Sequence, residues 1–269
     1  GTVAIKGVSM ADHFEIDDVI EFNESAVRHR RHGVDRDPLE LTDIGHLILS
    51  TWEGNDTISG RTNATMSVGI DAGYGPRDLL TITGSAANDS FLARRPPNLP
   101  VESFRVTNGA SADIDIFGID NLTFEGQGGD DRLTIDESFG GLLEFSAGIT
   151  YHGGDGFDIL ALAGTAPVLA TYTVGPDASS GHIQHRNDTT TQNVRFTGLE
   201  PVLDAVPGDV SIVANGAANS INLGTSELPG FGSVEVDGFE RYEFFGKRDI
   251  RLEGGAGQDS FGVSNTDVG

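Results

Sequence analysis

The sequence predicts an all-β chain folded as a parallel β-solenoid (β-helix) with irregular coils and loop or hairpin insertions. A Gly/Asp-rich corner recurs seven times between stretches of alternating apolar residues, and no stretch holds an apolar stripe at the 3.6-residue spacing of a helix. With 37 glycines in 269 residues and many Thr, Val, Ile and Asp, the composition favours short strands joined by tight turns.

In chain order the corners are IKGVSMADHFEI from Ile5, LSTWEGNDTI from Leu49, ITGSAANDSFL from Ile82 and FEGQGGDDRLTI from Phe124. They continue with YHGGDGFDILAL from Tyr151, VANGAANSINL from Val213 and LEGGAGQDSFGV from Leu252. Five residues after the first corner position stand Asp12, Asp56, Asp89, Asp131, Asp158, Ser220 and Asp259. Gaps of 27 to 62 residues between them fit coils of one basic size that carry loops of different length.

A second element is FGIDNLTF from Phe117, TGLEPVL from Thr197 and DGFERYEF from Asp237. Each sets a glycine, an apolar residue and an acid ahead of a strand, so a complete coil is expected to hold about three strands. Residues 171–192 are polar and read as a loop or hairpin excursion from the coil, and Ser25 to Pro38 as another. Residues 1–269 read as a single solenoid segment of degenerate repeats. Seven or eight coils stacked at ~4.8 Å would make a rod about 35 Å long.

The corner chemistry follows from geometry. Glycine permits left-handed backbone angles, and an aspartate carboxylate either accepts turn amides or holds a cation. In stacked coils equivalent aspartates form a column. Two such charges about 5 Å apart repel by roughly 3 kcal/mol at an effective dielectric near 20, so half-buried carboxylates need amide donors or calcium. Asp131, Asp158 and Asp259, whose corners keep two or more glycines, are the candidate calcium ligands.

Charge narrows the partners. There are 41 acidic against 17 basic side chains, a net charge of −24, and among the basic ones only Lys6 and Lys247 are lysine. Such a surface repels nucleic acid and anionic lipid, whereas divalent cations are natural partners. No run of 18 apolar residues offers a membrane span. Cysteine is absent, so neither disulfides nor thiolate metal sites hold the fold.

The corners GGDGFDILA at Gly153 and GGAGQDSFG at Gly254 resemble the hemolysin-type, glycine- and aspartate-rich calcium-binding repeats. The alternation of TGSAANDSF-type corners with GIDNLTF-type and TGLEPVL-type strands is similar to the repeat regions of very large bacterial surface proteins. The resemblance covers most of the chain and implies a secreted, adhesive or scaffold-forming β-solenoid. One departure matters. The calcium-binding repeats stand in direct tandem, each ion shared between adjacent turns, while here each corner stands alone.

Other constellations carry less. Arg28, His29, Arg30, Arg31 and His32 form the densest basic cluster and read as a solvated loop tip. His29/His32 and His182/His185 lack the third converging ligand that zinc needs, so satisfied or exposed histidines are expected. No nucleophile elbow, HExxH or phosphate loop is present, and an enzyme is not expected.

The leading functional expectation is an extracellular or cell-surface scaffold segment: a fibre, stalk or surface-layer element. Because the chain opens and closes inside repeats without a capping helix, the expected partners are flanking repeats of a longer chain or further copies joined head to tail. A calcium-binding module and a glycan-binding or glycan-cleaving β-helix are the alternatives, the latter by fold analogy alone.

Overall fold

The computed structural model describes residues 2–6, 18–22, 26–31, 34–35, 39–40, 45–51, 54–61, 65–73, 75, 77–97, 100 and 102–264. Among them there is no helix. The strands in chain order begin with β1 (Thr2–Lys6), β2 (Asp18–Phe22), β3 (Ala26–Arg31), β4 (Val34–Asp35), β5 (Leu39–Glu40), β6 (His46–Ser50), β7 (Thr57–Gly60), β8 (Ser67–Asp71) and β9 (Leu79–Thr83). Next come β10 (Ser90–Arg94), β11 (Phe104–Asn108), β12 (Ile114–Phe117), β13 (Asn121–Gly128), β14 (Arg132–Asp136), β15 (Gly148–Asp155), β16 (Ile159–Ala163), β17 (Val168–Val174) and β18 (Ser180–Arg186). The series ends with β19 (Thr191–Thr197), β20 (Val202–Ala205), β21 (Gly208–Val213), β22 (Ser220–Thr225), β23 (Gly232–Val236), β24 (Tyr242–Phe244), β25 (Lys247–Glu253) and β26 (Ser260–Val263).

These strands form two mostly parallel sheets of thirteen strands each. Sheet I runs β1-β6-β8-β12-β11-β10-β14-β16-β20-β24-β23-β22-β26. Sheet II runs β25-β21-β17-β18-β19-β15-β13-β9-β7-β2-β3-β4, with β5 beside β3. Outside the antiparallel hairpins the chain crosses from one sheet to the other at each connection between the described strands, so a turn of chain uses two sheets and not the three strands expected.

Period-two alternation decides which face is buried. In β14 the residues Leu133 and Ile135 are buried while Arg132, Thr134 and Asp136 are not, and β6 and β9 follow the same pattern. Parallel register then stacks like on like. Phe91, Leu133, Leu160, Val202 and Tyr242 form one buried row across sheet I, and Leu80, Leu122, Ile149 and Val194 its counterpart in sheet II. Each such side chain contributes roughly 1.5–3 kcal/mol by leaving water. The two inner faces meet in one continuous core, where Phe91 packs on Phe124 at 5.4 Å and Tyr172 on Tyr242 at 5.0 Å between ring centres.

Besides the antiparallel β2–β3–β4 at one end of sheet II, three antiparallel meanders interrupt the parallel order among the described residues: β10–β11–β12, β17–β18–β19 and β22–β23–β24. In each, the first strand pairs ahead, with β14, β21 or β26, and the last pairs back, with β8, β15 or β20. Residues 171–192 fall in the middle meander, whose strands lie within sheet II. The basic residues Arg28, His29, Arg30 and Arg31 lie on strand β3, paired with β2, and not at a loop tip; His32 is outside the described residues. At ~4.8 Å per strand, thirteen strands extend about 60 Å, longer than the rod expected from seven or eight coils because the meanders add strands.

Candidate functional site: a row of carboxylate corners

Along the edge where the chain enters sheet I, each corner carboxylate accepts the backbone N–H of the equivalent residue in the neighbouring corner. Asp89 N–H donates to Asp131 Oδ1 at 2.7 Å, Asp131 N–H to Asp158 Oδ1 at 2.8 Å, and Asp158 N–H to Glu200 Oε2 at 3.4 Å. Backbone carbonyls bind in the opposite sense: the carbonyls of Asp89, Asp131 and Asp158 accept from Arg132, Ile159 and Glu200. Farther along, Asn219 N–H donates to Asp259 Oδ1 at 2.9 Å.

At the meanders an amide or acid from the returning strand fills in. Asn108 donates Nδ2 to Asp89 and accepts Ser90 N–H, while Asp237 accepts Asn219 Nδ2 and Ser220 N–H. The opposite edge carries a shorter row. Asp56 N–H donates to Asp78 Oδ1 at 2.8 Å, Asp78 N–H to Asp120 Oδ2 at 3.0 Å, and Ser146 Oγ donates to Asp120. These bonds satisfy corner amides that the two ladders leave without partners.

The corner glycine has a matching cause. A β-carbon on Gly153 would fall 2.6 Å from Asp158 Oδ2 and would overlap the Gly198 carbonyl; one on Gly84 would fall 2.5 Å from Asp89 Oδ2. Gly126 and Gly254 stand in the same relation to Asp131 and Asp259. The spacing of glycine to aspartate five residues later therefore records a carboxylate folded back over the glycine's Cα. Gly153 and its equivalents lie where any side chain would displace the acid from its amide.

Asp131 and Asp158 are thus neighbours in one row, 1% and 0% exposed. Asp259 ends the same edge but lies five strands beyond β16, so the three candidate ligands do not converge. Asp56 belongs to the other edge, and Asp12 is outside the described residues. The sixth corner is corrected by one residue: Asn219, buried and bonded to Asp259, occupies the aspartate position, and Ser220 opens the strand. Sequence reading missed Asp78, and it noted Asp120 and Glu200 ahead of strands without giving them a role.

Burial pushes the Asp131 carboxyl up to about 6, with Asp158, Asp89 and Asp130 adding to the rise against the lowering effect of the Asp89 amide. Asp78 rises to about 6, again chiefly through burial. The Oδ2 atoms of Asp78, Asp131 and Asp158 are buried without hydrogen-bond partners. Among the described residues no three His, Asp or Glu side chains group as metal ligands. Asp78, Asp131 and Asp158 each supply one uncommitted carboxylate oxygen, against the six to eight oxygens calcium takes.

Asp131→Asn keeps an oxygen acceptor for the Asp89 amide and removes the charge. A folded-state value above the ordinary one means that the stabilisation from this proton is full below about 4 and is lost as pH rises through about 6. At pH 7.5 the variant is expected to be more stable than the parent by on the order of 1 kcal/mol, after screening, and to lose that advantage only below about pH 4. Thermal melts at pH 7.5 and below about pH 4 check this; an equal difference at both would show that charge is not the cause.

A second polar group lies inside the core. His185, 1% exposed, bonds Glu137 Oε1 through Nδ1 at 2.8 Å and Asp204 Oδ2 through Nε2 at 3.0 Å. Asp204 Oδ2 also accepts from Tyr242 Oη and from Lys247 Nζ at 2.8 Å, and its Oδ1 accepts Val206 N–H at 2.9 Å. Gln192 Nε2 donates to Glu137 Oε1 at 2.7 Å. Burial alone would lower His185, but the charges and hydrogen bonds of Asp204 and Glu137 lift it to about 9. Burial likewise opposes ionisation of Asp204, yet His185 and Lys247 hold it well below the usual carboxylate range. Two anions and two cations balance, as buried charges require. His185 is a satisfied core histidine, and 0% of the Lys247 side chain is exposed.

Compared with protein-family models, curated proteins and solved structures, the chain matches none.

Proposed function

We propose that the chain is a segment of a parallel β-solenoid that works outside the cell as a structural or adhesive scaffold. The observation that carries this is the row of corner carboxylates. Each corner binds the next through both its backbone and its side chain, so one turn of chain templates its neighbour. Such a unit has no intrinsic length limit, which suits a stalk or fibre better than a catalyst. Extracellular placement rests on the likeness of the corners at Gly153 and Gly254 to secreted repeats.

The same logic supports one kind of partner. Among the described residues β26 pairs on one side only, with β22, and β25 with β21. Phe261 and Val263 on β26 are 54% and 66% exposed, so the terminal layer presents both an open ladder and apolar surface. Another coil of parallel β structure, from flanking repeats or from a second copy, satisfies both. Negative-stain micrographs with light scattering test this. Rods about 60 Å long or multiples of that length, growing with salt as the −24 charge is screened, are expected. Two compact particles per chain would overturn the solenoid reading. A stable monomer at high concentration, from a chain with no flanking repeats, would overturn the assembly reading.

Calcium binding is the second reading, and the unpartnered Oδ2 atoms of Asp78, Asp131 and Asp158 are what support it. Because Oδ1 of each is committed to an amide, the row is assigned the amide-capturing role. Circular dichroism melts in chelator and in millimolar calcium are expected to coincide; a large loss of β signal in chelator would reverse the assignment.

A further inference from the structure

Lysine is scarce in this chain: only two of 17 basic residues are lysine. One of them, Lys247, has its side chain wholly buried, with Nζ 2.8 Å from Asp204 Oδ2 and 2.6 Å from the Val206 carbonyl. A guanidinium is the more easily dehydrated cation and binds a carboxylate through two parallel bonds, and the chain uses arginine almost everywhere else. What lysine offers instead is a primary amine that becomes a nucleophile once it loses a proton. We propose that Lys247 and Asp204 condense to an intramolecular isopeptide bond, a covalent staple between sheet II and sheet I.

The reaction balances without a co-reactant. The ammonium gives up one proton, which comes to rest on Asp204 Oδ1, the oxygen that His185 and Tyr242 do not hold, leaving a neutral amine and a neutral acid. The Nζ lone pair then forms the Nζ–Cγ bond. The protonated oxygen takes a second proton from the nitrogen and departs as water when its bond to Cγ breaks. An ammonium and a carboxylate thus become a secondary amide and one water, with no change of oxidation state.

The surroundings serve each step. His185 Nε2 and Tyr242 Oη both point at Asp204 Oδ2, where negative charge gathers in the tetrahedral intermediate, so they act as its oxyanion donors. Glu137, bonded to the far nitrogen of the imidazole, positions that donor and keeps it protonated. Both reacting side chains are wholly buried, so the amine and acid are held together and the released water has no ready return. The product is already provided for. The amide N–H inherits the Val206 carbonyl, the amide oxygen inherits His185 and Tyr242, and two buried charges vanish together while Glu137 and His185 remain paired.

Intact mass spectrometry of the purified, denatured 269-residue chain tests the bond. The expected mass lies below the sequence mass by one water, and tandem spectra of a digest show the peptides bearing Asp204 and Lys247 joined. Lys247→Arg keeps the cation without a condensing amine and is expected to restore the full mass, as is Asp204→Ala. Either variant needs only to be synthesised, not folded, to give the readout. Two results would overturn the proposal: a parent chain at full sequence mass whose Lys247 is acetylated on denaturation, or a water deficit that persists in Lys247→Arg.

Discussion

Replacing His185 with alanine is expected to destabilise the fold by about 3–5 kcal/mol, measured by chemical denaturation at pH 7. While Asp204 and Lys247 are an ion pair and not yet joined, the imidazolium is the link between two buried acids, and without it Glu137 retains only Gln192 as a donor. Glu137 Oε2 already lacks a partner, so the group has no reserve. The pH dependence separates lost charge from lost volume. His185 is lifted to about 9 by Asp204 and Glu137 against the effect of burial, so its contribution is full below about 6.5 and is lost as pH rises through about 9. The parent is therefore expected to lose stability between pH 7 and pH 10, while His185→Ala, already without this contribution, changes less. Equal slopes would show that the imidazole acts only as filler.

The second large effect is expected at a glycine. Gly153→Ala sets a β-carbon 2.6 Å from Asp158 and into the Gly198 carbonyl. Neither neighbour can yield easily, since the first is bonded to Asp131 N–H and the second is backbone. Overpacking in a closed site costs about 1–3 kcal/mol, and breaking the amide bond adds about 1 more, so a loss of about 3 kcal/mol is expected. Gly216→Ala is the matched control. It lies in the sixth corner, where a β-carbon meets nothing within 4 Å, and is expected to change stability by less than about 0.5 kcal/mol. Parallel urea melts decide; a tolerant Gly153 would mean that the carboxylate row is not tightly held.

How far the sequence foretold this arrangement depends on what alternation and spacing encode. Alternation tells which face a residue takes: it places Leu133 and Ile135 of RLTID inside, as they are, whereas of Ile159 and Leu160, adjacent residues both expected inside, only Leu160 is buried. The glycine-to-aspartate interval exposed Asp89, Asp131, Asp158 and Asp259 because one steric contact ties the pair together. Asn219 was displaced by one position since ANGAANS offers no glycine at its start and two plausible residues at its end. Asp78 does stand five residues after Gly73, but the glycine it packs against is Gly75, three residues earlier, so GYGPRD does not read as a corner of the same kind.

The core cluster was out of reach for another reason. Glu137 and Asp204 stand 48 and 19 residues from His185 and meet it only through the register of meander strands. Signals existed: HIQHR puts His185 on the face of Ile183, and VLDAV puts Asp204 on the face of Val202. Which strand lies opposite is not encoded in that rhythm. A meander whose first strand pairs ahead and whose last pairs back leaves the same alternating pattern as one that does the reverse.

Those meanders also keep the tally of strands level between the two faces. Counted from the N-terminal edge, β8 is third in sheet I while β9 is fifth in sheet II, because β3 and β4 precede it. The meander β10–β12 repays that lead, and β14 and β15 are both seventh. The meander β17–β19 moves sheet II ahead again, with β21 eleventh to β20 ninth, and β22–β24 closes the gap once more. The faces leapfrog by two strands, never further. Excising a single hairpin would leave about 10 Å of one face without its opposite number, so a lineage that gains or loses such hairpins has to do so in compensating pairs.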